Sequence, residues 1–301
     1  MKIISYVTSI LGLALISGNA AAQSTPFEGA YFNGFVDYEH GVISGTSGEI
    51  LTAELNMGFA PRNFGSSMAV GFDLEIDVFD TSFISGTALY PSLFIDGTYG
   101  RFSIGLPRSV IGSYISRPSF ANSSLDNFVL NNSRRSAMYA GNIGFPDFNT
   151  DYGIRYDGQI GNTEFGASYH KVTSNGDAFN IYGLAARHKI GMTQIFGGIE
   201  FLTSNGFSNE NIHIGFETRY DQFSGGATYS NSSETHVFAN YHMNDQIEFN
   251  ASFWNRDTRA NRYGLGVKYG FWEGAYVDAG VVYRNGATDN TNYNVSLGYE
   301  F

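Results

Sequence analysis

The chain has 301 residues, of which 15% are charged and 16% aromatic, and its formal net charge is −11. It contains 37 glycines and no cysteine. Soluble domains carry about 25% charged residues and about 7% glycine, and disordered chains have few aromatic residues. The composition therefore excludes intrinsic disorder, and the lack of cysteine excludes disulfides and thiolate metal sites.

The first predicted element is a cleaved signal peptide at residues 1–22. A lysine near the start is followed by an apolar stretch over residues 3–16, and alanines at 20–22 supply the small residues that precede a cleavage site. The alternative is an N-terminal membrane anchor, but a spanning helix needs about 20 apolar residues and this stretch is shorter. We therefore expect an exported mature chain, residues 23–301.

Residues 68–78 show the pattern that dominates the rest of the chain. Apolar side chains alternate there with polar or small ones, and Asp73, Glu75 and Asp77 share the polar face. Alternation with period 2 predicts a strand with one apolar face. The run is about twice as long as the usual strand of ~5–6 residues and matches the ~9–11 residues of a membrane-spanning strand. A water-soluble β-sandwich also alternates, but its strands are shorter.

Sixteen such strands are predicted, with no run of ~18 apolar residues after the signal peptide. The predicted fold is all-β: a transmembrane, antiparallel, up-and-down β-barrel, whose even strand number places both termini at the periplasmic end. In chain order the strands cover residues 29–40, 49–59, 66–78, 90–98, 101–107, 151–160, 163–171, 177–190, 193–202, 210–221, 222–230, 234–243, 246–254, 262–271, 274–285 and 290–301.

The connections between these strands divide into two sets. The even-numbered ones are short and rich in Gly, Asn and Asp, as hairpin turns with positive φ require, and the odd-numbered ones are predicted to be longer, as in outer-membrane barrels. Aromatic residues cluster beside the short turns and predict an interfacial girdle: Phe59, Phe64, Tyr99, Phe102, Tyr220, Phe223, Phe271, Trp272 and Phe301.

The third of the odd-numbered connections, at about residues 107–150 after the fifth strand, is far longer than the others. We call it the third loop. Loops of more than about 12–15 residues are usually functional or disordered. Residues 124–132 have apolar side chains at helical spacing behind a serine cap, which predicts a short helix. The charged residues singled out in this loop are Arg108, Arg117, Asp126, Arg134 and Arg135.

Taken together, these features resemble the general porins of the Gram-negative outer membrane, closest in size and layout to the alphaproteobacterial type. The resemblance rests on the signal peptide, the sixteen strands, the long loop after the fifth strand and the C-terminal alternation of Tyr293, Val295, Leu297, Tyr299 and Phe301. The Pro-Glu-Phe-Gly-Gly-Asp signature of enteric porins is absent, so the resemblance assigns no constriction acids.

The resemblance implies a passive diffusion channel for small hydrophilic solutes and ions in the outer membrane. It also implies a homotrimer in contact with the lipid bilayer and lipopolysaccharide. In that family the barrel-assembly machinery reads the C-terminal strand, and the third loop folds into the barrel and narrows it.

A loop inside the lumen would hold fixed charges close to a permeant solute and select it by sign and size. The alternative is an extracellular loop with solvated charges. The alternation also predicts which charged residues of the wall face the lumen: Asp37, Asp73, Glu75, Arg155, Asp157, Arg187 and Lys189.

Other functions receive less support. There is no nucleophile elbow, P-loop or His-Glu-x-x-His motif, so no enzyme is predicted, and no basic run indicates nucleic acid. No cofactor is predicted; the Asp73, Glu75 and Asp77 carboxylates are a weaker candidate for Ca²⁺ than for a solvated wall. The acidic balance predicts a weak preference for cations. A substrate-specific channel and a plugged structural or adhesive barrel remain alternatives.

Overall fold

The computed structural model describes residues 29–43, 46–59, 68–81, 85–115, 120–123, 142–143, 148–174, 177–204, 206–231, 233–256, 259–285 and 290–301. These residues form one antiparallel sheet that closes on itself. In this part of the chain no helix is both long enough and apolar enough to cross a membrane.

Sixteen strands form the wall, and a two-residue strand, β6, pairs with β4 above the end of β5. The elements are β1 (Ala30–Ile43), β2 (Thr46–Phe59), β3 (Met68–Thr81), β4 (Ser85–Gly97), β5 (Gly100–Gly105), α1 (Val110–Tyr114), β6 (Asn142–Ile143), β7 (Phe148–Ile160), β8 (Thr163–Ser174), β9 (Asp177–Ile190), β10 (Thr193–Ser204), β11 (Phe207–Tyr220), β12 (Phe223–Ser230), β13 (Glu234–His242), β14 (Ile247–Arg256), β15 (Arg259–Trp272), β16 (Ala275–Asn285) and β17 (Asn290–Glu300).

The first and last strands close the barrel. Strand β1 pairs with β17 from Phe35 opposite Glu300 to Val42 opposite Tyr293. Beyond the ladder, Gly34 and Phe301 form two mutual backbone hydrogen bonds. The Gly34 N–H donates to the Phe301 carbonyl oxygen at 3.1 Å, and the Phe301 N–H donates to the Gly34 carbonyl oxygen at 3.0 Å. Each remaining wall strand pairs with neighbours on both sides, so the described strands form a closed ring. Strand β5 is short, and beyond its end β4 pairs on that side with β6 through Thr87 and Ala88. The predicted sixteen-stranded, antiparallel barrel is confirmed.

The two faces of the wall differ as the alternation predicts. The outward face is apolar, and side chains such as Ile214 and Leu265 are about 60% exposed. The opposite face carries carboxylates, arginines, hydroxyls, amides and glycines. A barrel of this strand number has a lumen too wide for wall side chains to fill, so the polar face encloses water.

At one end of the barrel the turns are as short as predicted, except for the connection between Phe59 and Met68, and at the other end the prediction does not hold. At the end that holds both termini, two-residue turns contain Gly161 and Gly191, whose φ values of 57° and 59° suit a tight hairpin. At the other end, β1 continues to Ile43 and β2 begins at Thr46. The prediction that the odd-numbered connections are longer than the even-numbered ones is therefore wrong, except for the third loop between Gly105 and Phe148.

Extension of the strands explains this error. Val42 is paired with Ser47, and Ile43 with Thr46, although this stretch does not alternate in polarity. The ladder of backbone hydrogen bonds continues into a stretch in which neither face has to be apolar. The composition of this stretch is therefore typical of a loop, although its backbone is extended.

The third loop, between Gly105 and Phe148, contains α1 and β6. The predicted signal peptide and the predicted helix at 124–132 lie outside the described residues.

The contact that closes the barrel yields a test. In Phe301→Ala the backbone hydrogen bonds to Gly34 remain, but the ring that stacks on Phe32 at 5.1 Å between centroids is lost. An aromatic pair contributes about 0.5–1.5 kcal/mol beyond its buried area. We expect a lower urea midpoint for unfolding from lipid vesicles, measured by heat-modifiable gel mobility. Phe249→Ala removes a lipid-facing ring away from the seam and should cost less; an equal loss in both variants would contradict a closing role for Phe301.

Candidate functional site

The third connection begins with a short helix that its own sequence caps. Ser109 precedes α1, and its Oγ accepts a hydrogen bond from the Ile111 N–H at 3.2 Å, as an N-cap serine does. Val110 and Ile111 are fully buried because α1 packs against β8, β9 and β10 on their lumen-facing side. The helix has five residues, too few for a periodic pattern that would predict it from the sequence.

Arg108, just before α1, lies between two acidic side chains of β3. Its Nε donates to Glu75 Oε2 at 2.5 Å, and its Nη2 donates to Asp77 Oδ1 at 2.8 Å. The guanidinium also lies 4.5 Å from the centre of the Tyr90 ring on β4. Burial alone would lower the pKa of Arg108, but the negative charges of Asp77 and Glu75 outweigh it, and the net effect raises the pKa well above the ordinary arginine value. Arg108 therefore stays a cation.

Arg155, on β7, connects the wall to the start of the loop. Its Nη1 donates to the Arg108 carbonyl oxygen at 3.0 Å and to Ser113 Oγ at 2.7 Å. Its Nε donates to Asp157 Oδ2 at 2.7 Å, so the same guanidinium forms an ion pair within β7. A charged group with three such partners holds the loop more firmly than a neutral one, because hydrogen bonds to ionised groups are about twice as strong.

Tyr114 fixes the other end of α1 to the same region. Its hydroxyl donates to Asp157 Oδ1 at 2.9 Å. Burial, together with the charge and the hydrogen bond of Asp157, raises the pKa of Tyr114 above the ordinary tyrosine value, so the hydroxyl remains a donor at neutral pH. The Arg187 guanidinium lies 5.2 Å from the Tyr114 ring centre and its Nε donates to Glu164 Oε2 at 2.6 Å.

A second part of the loop contacts a different side of the barrel. Phe120 and Ala121 are fully buried and pack with Trp254 on β14 and Val282 on β16. Two further contacts continue toward β17 and β1: Asn294 Nδ2 donates to the Asn122 carbonyl oxygen at 3.3 Å, and Ser123 Oγ donates to Glu39 Oε1 at 3.2 Å. In the ring of sixteen strands, β9 and β16 are seven positions apart, close to diametrically opposite.

The structure brings together many, but not all, of the residues selected from the sequence. Glu75, Arg155, Asp157 and Arg187 gather around Arg108 and α1 through the contacts above. Asp73 is next to this cluster on β3 and pairs with Arg101. Two wall residues lie apart from this cluster: Asp37 accepts a hydrogen bond from Ser296 Oγ at 2.9 Å on the far side, and Lys189 is exposed at the turn end of β9. The remaining loop candidates lie outside the described residues: Arg117, Asp126, Arg134 and Arg135.

The three carboxylates considered for calcium contact arginines instead. Asp77 and Glu75 bind Arg108, while Asp73 accepts from Arg101 Nη1 at 3.2 Å and from the Tyr31 hydroxyl. Among the described residues, no cluster of three or more histidine or carboxylate groups is arranged as metal ligands. Calcium binding stays a prediction, and it would have to compete with these two guanidinium groups.

Several members of the cluster were not predicted from the sequence. Arg101 and Glu164 alternate in phase with the lumen-facing residues of β5 and β8, so the period-2 pattern could have found both. Tyr114 and Ser113 lie in a helix too short to be recognised, and no sequence signal marks them.

Comparison with known proteins agrees with this architecture. The family model for Gram-negative porins matches residues 8–301, nearly the whole chain. An engineered variant of the porin of Rhodopseudomonas blastica is 17% identical, with a TM-score of 0.66 over 90% of this chain and 100% of that one. A triple mutant of the same porin is 15% identical, with a TM-score of 0.65 over the same shares. No curated protein matches.

The closed barrel with a polar lumen defines a membrane channel of the β-barrel class. The chain belongs to the Gram-negative porin family, and it is a passive diffusion channel of the outer membrane. Membership of this family points to transport rather than to enzymatic chemistry.

The ion pairs of Arg108 predict how the lumen selects ions. Arg108→Gln leaves Glu75 and Asp77 without their cation, and a unit charge about 4 Å away contributes about 1 kcal/mol even in water. We expect the cation-to-anion permeability ratio, from the reversal potential in a KCl gradient, to rise by up to about fivefold. Lys189→Gln removes the same charge at the turn end and should change the ratio much less. An equal change in both variants would show that only net charge matters.

Proposed function

We propose that this porin passes small hydrophilic solutes and ions, and that residues 106–115 and 120–123 line its narrowest section. One observation carries this proposal: two parts of the third loop contact lumen-facing residues on nearly opposite sides of the barrel. α1 packs on β8–β10, and residues 120–123 contact the wall from β14 to β1.

Both parts of the loop lie on the lumen side of the wall. Val110 and Ile111 are fully buried against β8–β10, and Phe120 is fully buried beside Trp254. Solutes that cross the lumen therefore have to pass beside these two parts of the loop.

Charge pairing in the lumen supports a weak preference for cations. Arg101, Arg108, Arg155 and Arg187 each contact at least one carboxylate, so their positive charge is matched locally. The chain as a whole carries a formal charge of −11. Fixed negative charge in a narrow, low-dielectric passage favours cations.

The cellular context forms part of the same proposal. Residues 1–22 direct export and are removed, and the mature barrel, residues 23–301, assembles as a homotrimer among phospholipid and lipopolysaccharide. The barrel-assembly machinery reads the C-terminal strand. Tyr293, Val295 and Leu297 support this because each is more than half exposed on the outward face, where a membrane-embedded partner can contact them.

Replacing part of the loop tests the constriction. A variant in which a flexible Gly–Ser linker substitutes residues 116–140 keeps α1 and its ion pairs but loses the contacts of Phe120 and Ala121. We expect a higher single-channel conductance and faster entry of larger sugars in liposome swelling, because residues 120–123 no longer occupy the lumen beside β14–β1. A linker replacing the turn residues 244–246 is the control and should leave both unchanged. An unaltered conductance and sugar cutoff in a correctly folded loop variant would contradict the proposal.

A further inference from the structure

The lumen wall is rich in glycine where the third loop contacts it. Glycine weakens a strand, and in strands it often marks close approach of another backbone or ligand. The first glycine patch consists of Gly166, Gly183 and Gly198 on β8, β9 and β10. A Cβ atom there would lie 2.8 Å and 3.0 Å from the Val110 methyl groups and 2.6 Å from Ile111 Cδ1, respectively. The absence of side chains creates the hollow that holds α1.

The second glycine patch lies on the opposite wall and consists of Gly264, Gly266 and Gly280. A Cβ at Gly264 would lie 2.8 Å from Ala121 Cβ and 2.9 Å from Phe120 Cε1. At Gly266 it would lie 2.9 Å from the Ala121 carbonyl carbon, and at Gly280 it would overlap the Ala121 carbonyl oxygen. Here it is the loop backbone that rests on the wall. Gly266 and Gly280 are paired directly across β15 and β16.

The loop conformation matches this flat surface. Ala121 and Asn122 have φ values of 53° and 52°, a left-handed conformation that is uncommon for alanine. This bend turns the Ala121 carbonyl toward Gly280, and Asn294, paired with Gly280, donates to the Asn122 carbonyl at 3.3 Å. Local backbone geometry, a glycine surface and a side-chain hydrogen bond therefore converge on one docking point.

Other glycines of the lumen face differ from these patches. Gly71 and Gly215 are covered by Phe94 and Phe196, aromatic side chains of neighbouring wall strands. Gly270 lies on β15 in phase with Gly264 and Gly266, and the nearest atoms to its hypothetical Cβ are 3.9 Å away. Close contact with the third loop is thus a property of the two patches and not of every glycine on this face.

We infer that the two glycine patches are positioning elements that fix the third loop at two points on opposite walls and thereby hold the channel in one open geometry. The inference rests on the proposed function, since it assumes that the loop limits conduction. The second patch is the stricter of the two. A side chain in the first patch meets methyl groups that can rotate, whereas a side chain at Gly266 or Gly280 meets the loop backbone.

Docking itself can be tested without measuring current. The chain has no cysteine, so Ala121→Cys with Gly264→Cys gives a unique pair. Their Cβ positions, 2.8 Å apart, need to move by about 1 Å to reach the mean disulfide separation of ~3.8 Å. We expect a disulfide to form in the folded, vesicle-inserted barrel, seen as a mobility shift after denaturation. The pair Ala121→Cys with Gly270→Cys is the control and should not cross-link.

Conduction then tests the positioning role. Gly280→Val fills the space occupied by the Ala121 carbonyl, and valine favours strands, so the barrel should still fold. We expect the single open level of each pore to split into several, with frequent transitions between them. Gly198→Val, in the first patch, should show a smaller effect, and Gly270→Val should keep one level like the unchanged protein.

The outcomes separate this inference from the proposed function. Failure of the Ala121–Gly264 pair to cross-link in a folded barrel would overturn the second patch, whatever the conductance. Cross-linking combined with an unchanged Gly280→Val channel would overturn the positioning role. If the unchanged protein does not conduct while the cross-link forms, the proposed function fails and docking stands. The inference is supported if the Ala121–Gly264 pair cross-links and if Gly280→Val shows multiple conductance levels while Gly270→Val does not.

Discussion

In the hydrocarbon layer a backbone N–H or C=O group has no water to bind, and each unsatisfied group costs several kcal/mol. The rest of this structure depends on that constraint. Strand β17 returns to β1, and the mutual hydrogen bonds of Gly34 and Phe301 extend the closing ladder to the last residue. Once the sheet is closed, one face meets lipid and the other encloses water. The alternation of apolar and polar side chains along each strand follows directly.

Closure leaves a lumen that wall side chains cannot fill, so its shape is set by the segment placed inside it. The interactions that hold this segment differ at its two ends. Around α1, hydrogen bonds to charged groups dominate, and Arg155 links Asp157 to the backbone of Arg108. Glycines replace wall side chains at both ends, but at residues 120–123 it is the Ala121 backbone itself that approaches them. Charge and shape complementarity together fix the first contact, whereas shape complementarity dominates the second.

Much of the fold could be predicted because lipid imposes a strict pattern. The outward face had to be apolar, so the strands and their periplasmic turns, such as those at Gly161 and Gly191, could be located from polarity alone. The opposite ends could not. Between Val42 and Ser47 both faces are free of the lipid constraint, so an extended ladder and a polar loop have the same composition.

The site could be predicted only where alternation applies. It identified Arg155 and Asp157 as wall residues, and loop composition identified Arg108. The alternation pattern could not pair Arg108 with Glu75 and Asp77, because these contacts join segments that are distant in sequence. Without that pairing, the same two acids were also candidates for binding calcium. Tyr114 and the glycine patches carry no local signal: a glycine at a lumen-facing position looks the same whether a loop, an aromatic ring or water covers it.

The barrel encloses an open, water-filled path alongside the loop, and single-channel recording of the mature protein in a planar bilayer with a KCl gradient across it can show this path. We expect discrete openings with an ohmic conductance and a reversal potential displaced toward the potassium equilibrium potential. A correctly folded barrel that stays silent would contradict an open path, and a reversal potential on the chloride side would contradict the charge arrangement described for its lumen.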